Sequence, residues 1–364
     1  MGTVTIKARA LEAFVADLFA AAGCSKEEGA RIGRYLVSAN LSGHDSHGVV
    51  RVPRYASQKK NGTVIADVTV DILVDTPVIA VVDGKYGFGQ TVAPQAVRIG
   101  IDKCKKGGLS AVTLRNAGHI GRVGDWAETA AAEGLVSVHF VNASGSVLVA
   151  PYGGVDRRFS TAPYCVGVPR RGQDPLILDF ATSIVAEGKV LVASQGGKKV
   201  PEDALIGPDG KPSNDPHLLY GGYTPVGPRD HSKGAGAIRA FGEHKGSGLA
   251  FMCELLGGSL SGTGATDPER GRFANGMLSF YIDPKVFDPA GFFPQDVARY
   301  VGFVKSSRPA GAGGEILVPG ETEARSRARR LAEGVPLPSD TWAAIVEAAR
   351  SVGLDERRIQ QATM

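Results

Sequence analysis

Apolar residues recur at helical spacing near the start of the chain. Between residues 8 and 22, one face of a helix collects the apolar side chains, and this pattern predicts an amphipathic helix carrying Leu11, Phe14, Val15, Leu18 and Phe19. Gly23 is a predicted helix stop. Ser25 followed by Glu28 has the form of a capping box, which predicts a second helix through about Leu41.

The pattern changes after residue 63, where short β-branched runs alternate with helical stretches. Two strands are predicted within 63–83 and further strands at about 109–114, 136–141, 165–168, 175–180 and 276–282, with helices at about 91–106, 126–133, 183–193, 245–260, 321–333 and 339–352. This alternation favours an α/β fold. Residues 194–240 are rich in glycine and proline and are predicted to form a long surface excursion.

Composition and charge exclude several classes of protein. The 364 residues carry a net charge of only +4 without a long basic run, so a nucleic-acid surface is not indicated. Four scattered cysteines fit a reduced protein better than a disulfide framework or a zinc site. The first residues lack an apolar signal core, and no window is long and apolar enough for a membrane span. We therefore expect a cytoplasmic protein without a membrane partner.

Reactive side chains are densest between Gly43 and Tyr55. His47, Arg51 and Tyr55 recur every four residues, so they would line one face if a helix runs here. Such a face offers a proton carrier, a guanidinium fork for a carboxylate and a phenol, which suits chemistry on a small organic acid. A polar start of a helix with solvated charges is the alternative, with Ser46 as a cap and Pro53 in the first turns.

His119 and Asp179 are further candidates for chemistry. His119 lies between glycines after a predicted strand, a position that suits acid–base catalysis, although taken alone it more often indicates a loop histidine with a local hydrogen bond. Asp179 ends a strand, where a carboxylate can orient an imidazole, hold a cofactor hydroxyl or cap the next helix. A metal site is not indicated, because no third ligand accompanies His44 and His47 at a suitable spacing.

The usual dinucleotide fingerprint is absent, since Gly87-Phe88-Gly89 supplies only two of its three glycines. The order of motifs nevertheless resembles the type-2 malate/L-lactate dehydrogenase family, whose relatives include sulfolactate and ureidoglycolate dehydrogenases. The matching stretches are Asp45-Ser46-His47-Gly48 with Arg51 and Tyr55, Gly87-Phe88-Gly89-Gln90, Gly118-His119-Ile120-Gly121, Leu178-Asp179-Phe180-Ala181-Thr182-Ser183, His244-Lys245-Gly246-Ser247-Gly248-Leu249 and Val318-Pro319-Gly320-Glu321.

The resemblance implies a non-Rossmann α/β fold, with a mixed sheet flanked by helices and a helical domain made of both chain ends. It predicts a discontinuous helical, substrate-side domain at 1–85 with 316–364, and an NAD(P)-binding mixed-sheet domain at 86–315. It also implies a homodimer with the active site near the interface.

The resemblance further implies roles for single residues. The histidine matching His119 is a candidate general acid–base, and the one matching His47 lies beside nicotinamide and substrate. We favour His119 as proton carrier because its loop position suits proton exchange, with His47, Ser46 and Asp179 as an alternative relay. Stretches that contact the cofactor in relatives match Asp179, Phe180, Ala181, Gly313, Gly314 and Glu315.

Arg51 is the candidate for the substrate carboxylate because its planar fork matches that group, and Tyr55 completes the pocket. The predicted reaction is reversible hydride transfer between NAD or NADP and C2 of a small 2-oxo acid, giving the (S)-2-hydroxy acid. An NAD(P)H-dependent imino-acid reductase of the piperideine-2-carboxylate type is the alternative enzyme. A cofactor-binding protein without turnover is a third hypothesis, against which the joint presence of His47, Arg51 and His119 argues.

Overall fold

The computed structural model describes residues 2–196, 200–222, 230–269 and 271–361. The strands are β1 (Thr3–Ile6), β2 (Asp71–Asp75), β3 (Ile79–Asp83), β4 (Leu109–Ala117), β5 (Val136–Ser144), β6 (Val149–Ala150), β7 (Pro163–Val168), β8 (Leu176–Ala181), β9 (Leu205–Ile206), β10 (Pro212–Ser213), β11 (Ala237–Arg239), β12 (Ala274–Ile282) and β13 (Val335–Pro338). The helices are α1 (Ala8–Ala21), α2 (Lys26–Leu41), α3 (Val52–Lys60), α4 (Gly89–Gly107), α5 (Gly124–Ala132), α6 (Glu187–Gly196), α7 (His217–Tyr220), α8 (His244–Cys253), α9 (Pro284–Phe287), α10 (Phe292–Lys305), α11 (Glu321–Glu333), α12 (Ser339–Ser351) and α13 (Glu356–Gln361).

A seven-stranded sheet forms the centre of the molecule, in the order β2-β3-β4-β12-β5-β7-β8. Only β3 and β4 pair in parallel, and the other neighbours are antiparallel, so the sheet is mixed as predicted. Helices α4 and α5 cover it with a buried core that includes Ile101, Leu114, Trp126 and Tyr281. The predicted fold class is confirmed.

The N-terminal helices pack closely because two glycines remove side chains between them. A Cβ atom on Gly29 would lie 2.6 Å from the carbonyl oxygen of Ala16, and one on Gly33 would lie 2.6 Å from that of Glu12. The five apolar residues that predicted α1 are all buried, in a core shared with α3, β13 and α12. This helical unit forms the base on which the 43–55 segment rests.

Of the two hydrogen bonds of the predicted capping box, the one to the Ser25 side chain is confirmed and the one to the Glu28 side chain is not formed. The Ser25 hydroxyl accepts a hydrogen bond from the Glu28 amide at 3.1 Å, as the pattern requires. The Ser25 amide, however, donates to Asp67 at 2.9 Å, while the Glu28 carboxylate turns inward to Thr91 at 2.7 Å. Glu28 therefore ties α2 to α4 instead of closing its own helix end.

The stretch predicted as a surface excursion has a core of its own. A small sheet in the order β10-β9-β11-β6 and helix α7 pack with α6 and α8 around Leu205, Leu219 and Ile238. Parts of this stretch, at 197–199 and 223–229, lie outside the described residues. The small sheet, α6, α7 and α8 thus form a lobe that contacts the 43–55 segment through α6.

Several elements were not predicted from the sequence. Strands β1 and β13 pair antiparallel from opposite ends of the chain, and α9 and α10 precede the C-terminal helices. None of the residues of α10 is buried. Within the described residues, no helix combines the length and apolar character needed to cross a membrane.

The two-domain division stays a prediction. Its first boundary does not follow the sheet, because strands β2 and β3, at 71–83, were assigned to the helical domain but pair in the seven-stranded sheet. The hydrophobic cores place the change between Val64, which packs with α1 and α2, and Val68, which packs with the sheet.

Candidate active site

The 43–55 segment is not one continuous helix, which was the condition under which His47, Arg51 and Tyr55 would line one face. Two short 3₁₀ turns, at 45–47 and 49–51, precede α3, and Gly48 between them has an extended backbone. The buried Asn40 side chain accepts a hydrogen bond from the Val49 amide at 2.8 Å, and a Cβ atom on Gly48 would meet that side-chain oxygen at 2.2 Å. Asn40 therefore holds the break in the helix.

Two local expectations for this segment differ in outcome. Ser46 lies inside the first 3₁₀ turn and caps no helix, because Arg51 occupies the N-cap position of α3 without a side-chain cap. The serine cap was therefore wrong. Pro53 lies in the first turn of α3, as predicted, where its missing amide proton has no helical partner to lose.

The loop that carries His119 is held by backbone contacts that require glycine. A Cβ atom on Gly89 would lie 2.2 Å from the His119 carbonyl oxygen, and one on Gly118 would lie 2.7 Å from the Gly87 carbonyl oxygen. The Ile120 amide donates to the buried side chain of Asn275 at 2.9 Å. The glycines of the Gly87-Phe88-Gly89 motif thus let α4 approach the histidine loop closely.

Tyr55 orients the His119 ring. The Tyr55 hydroxyl lies 2.5 Å from His119 Nδ1 and 3.3 Å from the His119 carbonyl oxygen, and Gln90 Nε2 donates to the Tyr55 hydroxyl at 3.1 Å. All these contacts are satisfied when His119 Nδ1 and Gln90 both donate to the phenol oxygen and the phenol proton goes to the carbonyl. In that arrangement His119 Nε2 carries a free lone pair.

A second imidazole stacks on the first. The rings of His47 and His119 are nearly parallel, with 5.2 Å between centroids and 4° between planes. Burial, with Arg51, His44 and Arg122 nearby, lowers the pKa of His47 to about 3. Burial, with Arg51, His47 and Arg54 nearby, lowers the pKa of His119 well below its ordinary value. Both rings are therefore neutral near pH 7.

His47, Tyr55, Gln90 and His119 are called the proton-transfer cluster from here on. His47 Nδ1 is buried and has no hydrogen-bond partner among the described residues, which leaves it available to a bound molecule. Burial raises the pKa of Tyr55 to about 12, so the phenol keeps its proton. The cluster offers one oriented base, His119, beside His47 Nδ1, which no described residue hydrogen-bonds.

Arg51 lies next to the cluster, and two of its three guanidinium nitrogens already contact other groups. Its Nε donates to the Ser46 carbonyl oxygen at 2.6 Å, and its Nη2 lies 3.6 Å from Glu187 Oε2. Nη1 has no hydrogen-bond partner within the described part of the chain, so a carboxylate can approach that edge. Arg54, one turn further, stacks its guanidinium over Phe273 at 5.4 Å and adds a second positive charge.

Asp179 caps a helix, but not the one that follows it. Its Oδ2 accepts a hydrogen bond from the Gly124 amide, the first residue of α5, at 2.7 Å, and Arg122 Nε lies 4.0 Å away. No hydrogen bond joins His47 to Asp179 or to the Ser46 side chain within the described residues, so the alternative relay stays a prediction. Phe180 packs edge-on against Phe241 at 5.2 Å, and Ala181 pairs with Pro163 at the sheet edge.

The residues 311–315, called the glycine loop, are exposed. Gly313 has a φ of +74° with open space around its Cα, and Gly314 closes a turn onto Gly311 at 3.0 Å. Glu315 forms an ion pair with Arg325, with both oxygens engaged. The structure places none of these three predicted cofactor residues against the proton-transfer cluster within the described contacts.

Sequence reasoning missed four side chains that shape the site. Gln90 and Asn275 hold the histidine loop, while Glu187 and Tyr220 bind each other beside Arg51. A signal existed for Gln90, which follows the Gly87-Phe88-Gly89 motif directly. The other three are ordinary polar residues whose partners lie far away along the chain.

Comparisons with known proteins identify one family over nearly the whole chain. Residues 6–346 match the sequence profile of the malate/L-lactate dehydrogenase family. Hydroxycarboxylate dehydrogenase B of Escherichia coli K12 is 38% identical over 358 residues, covering 97% of this chain and 96% of the relative. A solved E. coli structure, described as a candidate malate/lactate dehydrogenase, has a TM-score of 0.90 at 37% identity and covers 98% of this chain and 97% of that one.

A second similar structure is named for a different substrate. Δ1-piperideine-2-carboxylate reductase from Pseudomonas syringae pv. tomato has a TM-score of 0.77 at 27% identity, with 94% of this chain and 99% of that chain covered. The family predicted from the motifs is confirmed by the profile match and by the relatives. The chain belongs to the malate/L-lactate dehydrogenase family, a family of oxidoreductases that act on hydroxy acids.

Proposed function

We propose that this protein is an NAD(P)-dependent dehydrogenase that transfers hydride reversibly between nicotinamide and C2 of a small 2-oxo acid, with the (S)-2-hydroxy acid as the reduced product. One observation carries the proposal: His119, oriented by Tyr55 at 2.5 Å, stacks on His47 beside the free edge of Arg51. The base, the phenol that orients it and a hydrogen-bond donor for the substrate carboxylate lie together, as a hydroxy-acid site requires.

His119 is the proposed proton carrier. In the oxidising direction, neutral His119 takes the hydroxyl proton at Nε2 while Nδ1 keeps its hydrogen bond to Tyr55. In the reducing direction, the doubly protonated ring returns that proton to the carbonyl oxygen. His47 Nδ1 has no hydrogen-bond partner in the described part of the chain. The two stacked rings cannot both hold a positive charge without repulsion, so His47 stays neutral.

Arg51 is the proposed clamp for the substrate carboxylate. A planar guanidinium binds a carboxylate through two parallel N–H donors, and the contacts of Nε and Nη2 fix the plane of the fork. Tyr55, a buried member of the cluster, completes the proposed pocket wall. Fixing the carboxylate fixes C2, because the two carbons are bonded, and this holds the reacting oxygen near His119.

The residues fit a nicotinamide cofactor, which supplies or accepts the hydride when bound. The fit rests on His47 Nδ1, a buried polar atom that has no hydrogen-bond partner among the described residues and that a cofactor amide or a substrate oxygen can satisfy. We propose that His47 faces the cofactor, with Asp179, Phe180, Ala181 and the glycine loop as further contacts. NAD and NADP both remain compatible with these residues.

An imino-acid reductase is the second candidate, favoured by the similarity to the piperideine-2-carboxylate reductase structure. Such a substrate keeps the carboxylate for Arg51 and replaces the carbonyl oxygen by a nitrogen. The same proton carrier would then serve a different acceptor atom.

One assay separates these proposals. NADH and NADPH oxidation is followed by absorbance over a panel of 2-oxo acids, each with and without methylamine. We expect turnover with a 2-oxo acid alone and a clear preference for one cofactor. Turnover that requires the amine, or that occurs only with cyclic imines, would assign the protein to the reductase branch. No turnover under any condition would contradict both proposals.

We also propose a cytoplasmic homodimer. All four cysteines are free and buried, as in a reducing environment. Five large apolar side chains of α9 and α10 are more than half exposed: Val286, Phe287, Phe292, Tyr300 and Phe303. A patch of this kind on a hydroxy-acid dehydrogenase fold suits a subunit interface. Light scattering should give twice the chain mass, and Phe303→Asp should yield monomers; a monomeric wild-type protein would contradict the proposal.

A further inference from the structure

A carboxylate lies inside a site that is proposed to bind carboxylates. Glu187 begins α6, and its side chain is only 16% exposed. One oxygen lies 3.6 Å from Arg51 Nη2, and the other accepts a hydrogen bond from the Tyr220 hydroxyl. An acidic group here repels a substrate anion and competes for its clamp, so its presence needs a functional reason.

The fold holds Glu187 in this place from two sides. A Cβ atom on the neighbouring Gly188 would lie 2.7 Å from the Cβ of Ser46, so the start of α6 packs directly on the 43–55 segment. Tyr220, at the end of α7, reaches Glu187 from the lobe that contains the small sheet. The stretch predicted as a surface excursion thus delivers the Tyr220 side chain to the edge of the candidate active site.

The charges around Glu187 leave the pocket weakly positive. Its strongest electrostatic partners are Arg51, Tyr220, Arg54 and His231. Burial raises the pKa of Glu187, but Arg51, the Tyr220 hydrogen bond and Arg54 lower it by more, so the group is ionised near pH 7. His231, whose pKa burial lowers, is neutral there, as is Tyr220. Among the described groups that act on Glu187, two guanidiniums and the Glu187 carboxylate itself amount to one net positive charge.

We propose that Glu187, held by Tyr220, sets the substrate pocket at one net positive charge and thereby selects 2-oxo acids with a single carboxylate over dicarboxylic acids. The inference rests on the proposed function and names its substrate class. A substrate with one carboxylate neutralises the single positive charge. In a dicarboxylic acid, the second carboxylate is repelled by Glu187. At about 5 Å and an effective dielectric constant of about 20, one such charge changes affinity by more than about tenfold.

Oxamate and oxalate test this proposal, because they have nearly the same size and differ by one negative charge at pH 7. Their dissociation constants are measured by calorimetry at saturating cofactor, for wild-type protein and Glu187→Gln. We expect the variant to shift the ratio of the two constants toward oxalate by about tenfold or more. The matched control is Glu347→Gln, which removes the same charge from an exposed position on α12 and should leave the ratio unchanged.

Turnover gives a second readout. Wild-type protein should show a higher kcat/KM with pyruvate than with oxaloacetate, and Glu187→Gln should narrow that difference mainly through KM. An unchanged oxamate-to-oxalate ratio in Glu187→Gln, or a wild-type preference for oxaloacetate, overturns the charge assignment. Equal weakening of both anions would give Glu187 a positioning role only and also overturns it. Absence of turnover with every 2-oxo acid would instead contradict the proposed function, since the anion ratio is measured by binding alone.

Discussion

The proton-transfer cluster and the glycine loop are built in opposite ways, although motif order associates both with the same reaction. The cluster is closed by side-chain hydrogen bonds of 2.5 Å and 3.1 Å, by ring stacking and by glycines that admit backbone contacts. The glycine loop is exposed, and its charged member contacts only another exposed side chain, Arg325, within the described part of the chain.

This difference separates two ways of preparing a site. In the cluster, folding has already restricted the side chains, so the reacting atom meets groups in their working positions. The glycine loop is exposed and has open space around Gly313, so few contacts within the described residues fix the position that a ligand would meet. Roles in the cluster can therefore be argued from geometry, whereas roles in the loop depend on what binds there. The predictions below test how far this contrast holds.

The largest effect is expected for His119→Ala. If the cluster performs proton transfer, kcat should fall by about 10²–10⁴-fold, because a positioned general acid–base contributes that much. NADH affinity, measured by fluorescence titration, should change little. His217→Ala, which removes an exposed histidine on α7, is the control. Nearly unchanged turnover in His119→Ala would exclude it as the carrier and return attention to His47.

A smaller effect, on binding, is expected for Arg51→Ala. Loss of a charge-assisted contact should raise KM for 2-oxo acids by about 10–100-fold while kcat changes much less. Arg51→Lys should recover only part of this affinity, because an ammonium cannot reproduce the planar fork. Steady-state kinetics with pyruvate measure both variants. A normal KM in Arg51→Ala would leave the carboxylate to Arg54 or to another group.

The pH dependence should differ between the two directions of the reaction. Burial and nearby cations hold the pKa of His119 well below its ordinary value, so the ring is neutral from pH 6 to 8. Reduction needs the protonated ring, whose fraction falls about tenfold per pH unit in this range, and kcat/KM should fall with it. Oxidation uses the neutral ring, so its kcat/KM should stay level. A flat profile for reduction would contradict proton donation by His119.

The contrast between the two regions also explains what the sequence could predict. Helix α1 and the N-cap of α2 were predictable because their signals, apolar spacing and Ser25 before Glu28, are local. For the cluster, the sequence predicted His47, Tyr55 and His119 but not Gln90, which holds Tyr55. Gln90 lies 35 positions from Tyr55, and Asn275 lies 155 positions from the Ile120 amide it holds, so no local pattern connects them.

Spacing alone also failed in one informative case. The recurrence of His47, Arg51 and Tyr55 every four residues predicted a helical face, yet Gly48 and the Asn40 side chain break the helix between them. The three side chains still reach one site, because the 3₁₀ turns fold the histidine back beside His119. Tertiary contacts, rather than the period of the pattern, bring these groups together.

The smallest effect is expected for Glu315→Ala, which tests the other side of the comparison. Exposed ion pairs contribute little to stability, so the melting temperature should shift by less than about 2 °C. Because no other described contact depends on Glu315, kcat should be unchanged and KM for the preferred cofactor should rise by less than about threefold. Arg325→Ala removes the same ion pair from the other partner and should behave alike. A much larger rise in cofactor KM for Glu315→Ala alone would show that the glycine loop closes on the cofactor through this carboxylate. The contrast with the cluster would then describe only the protein without its ligand.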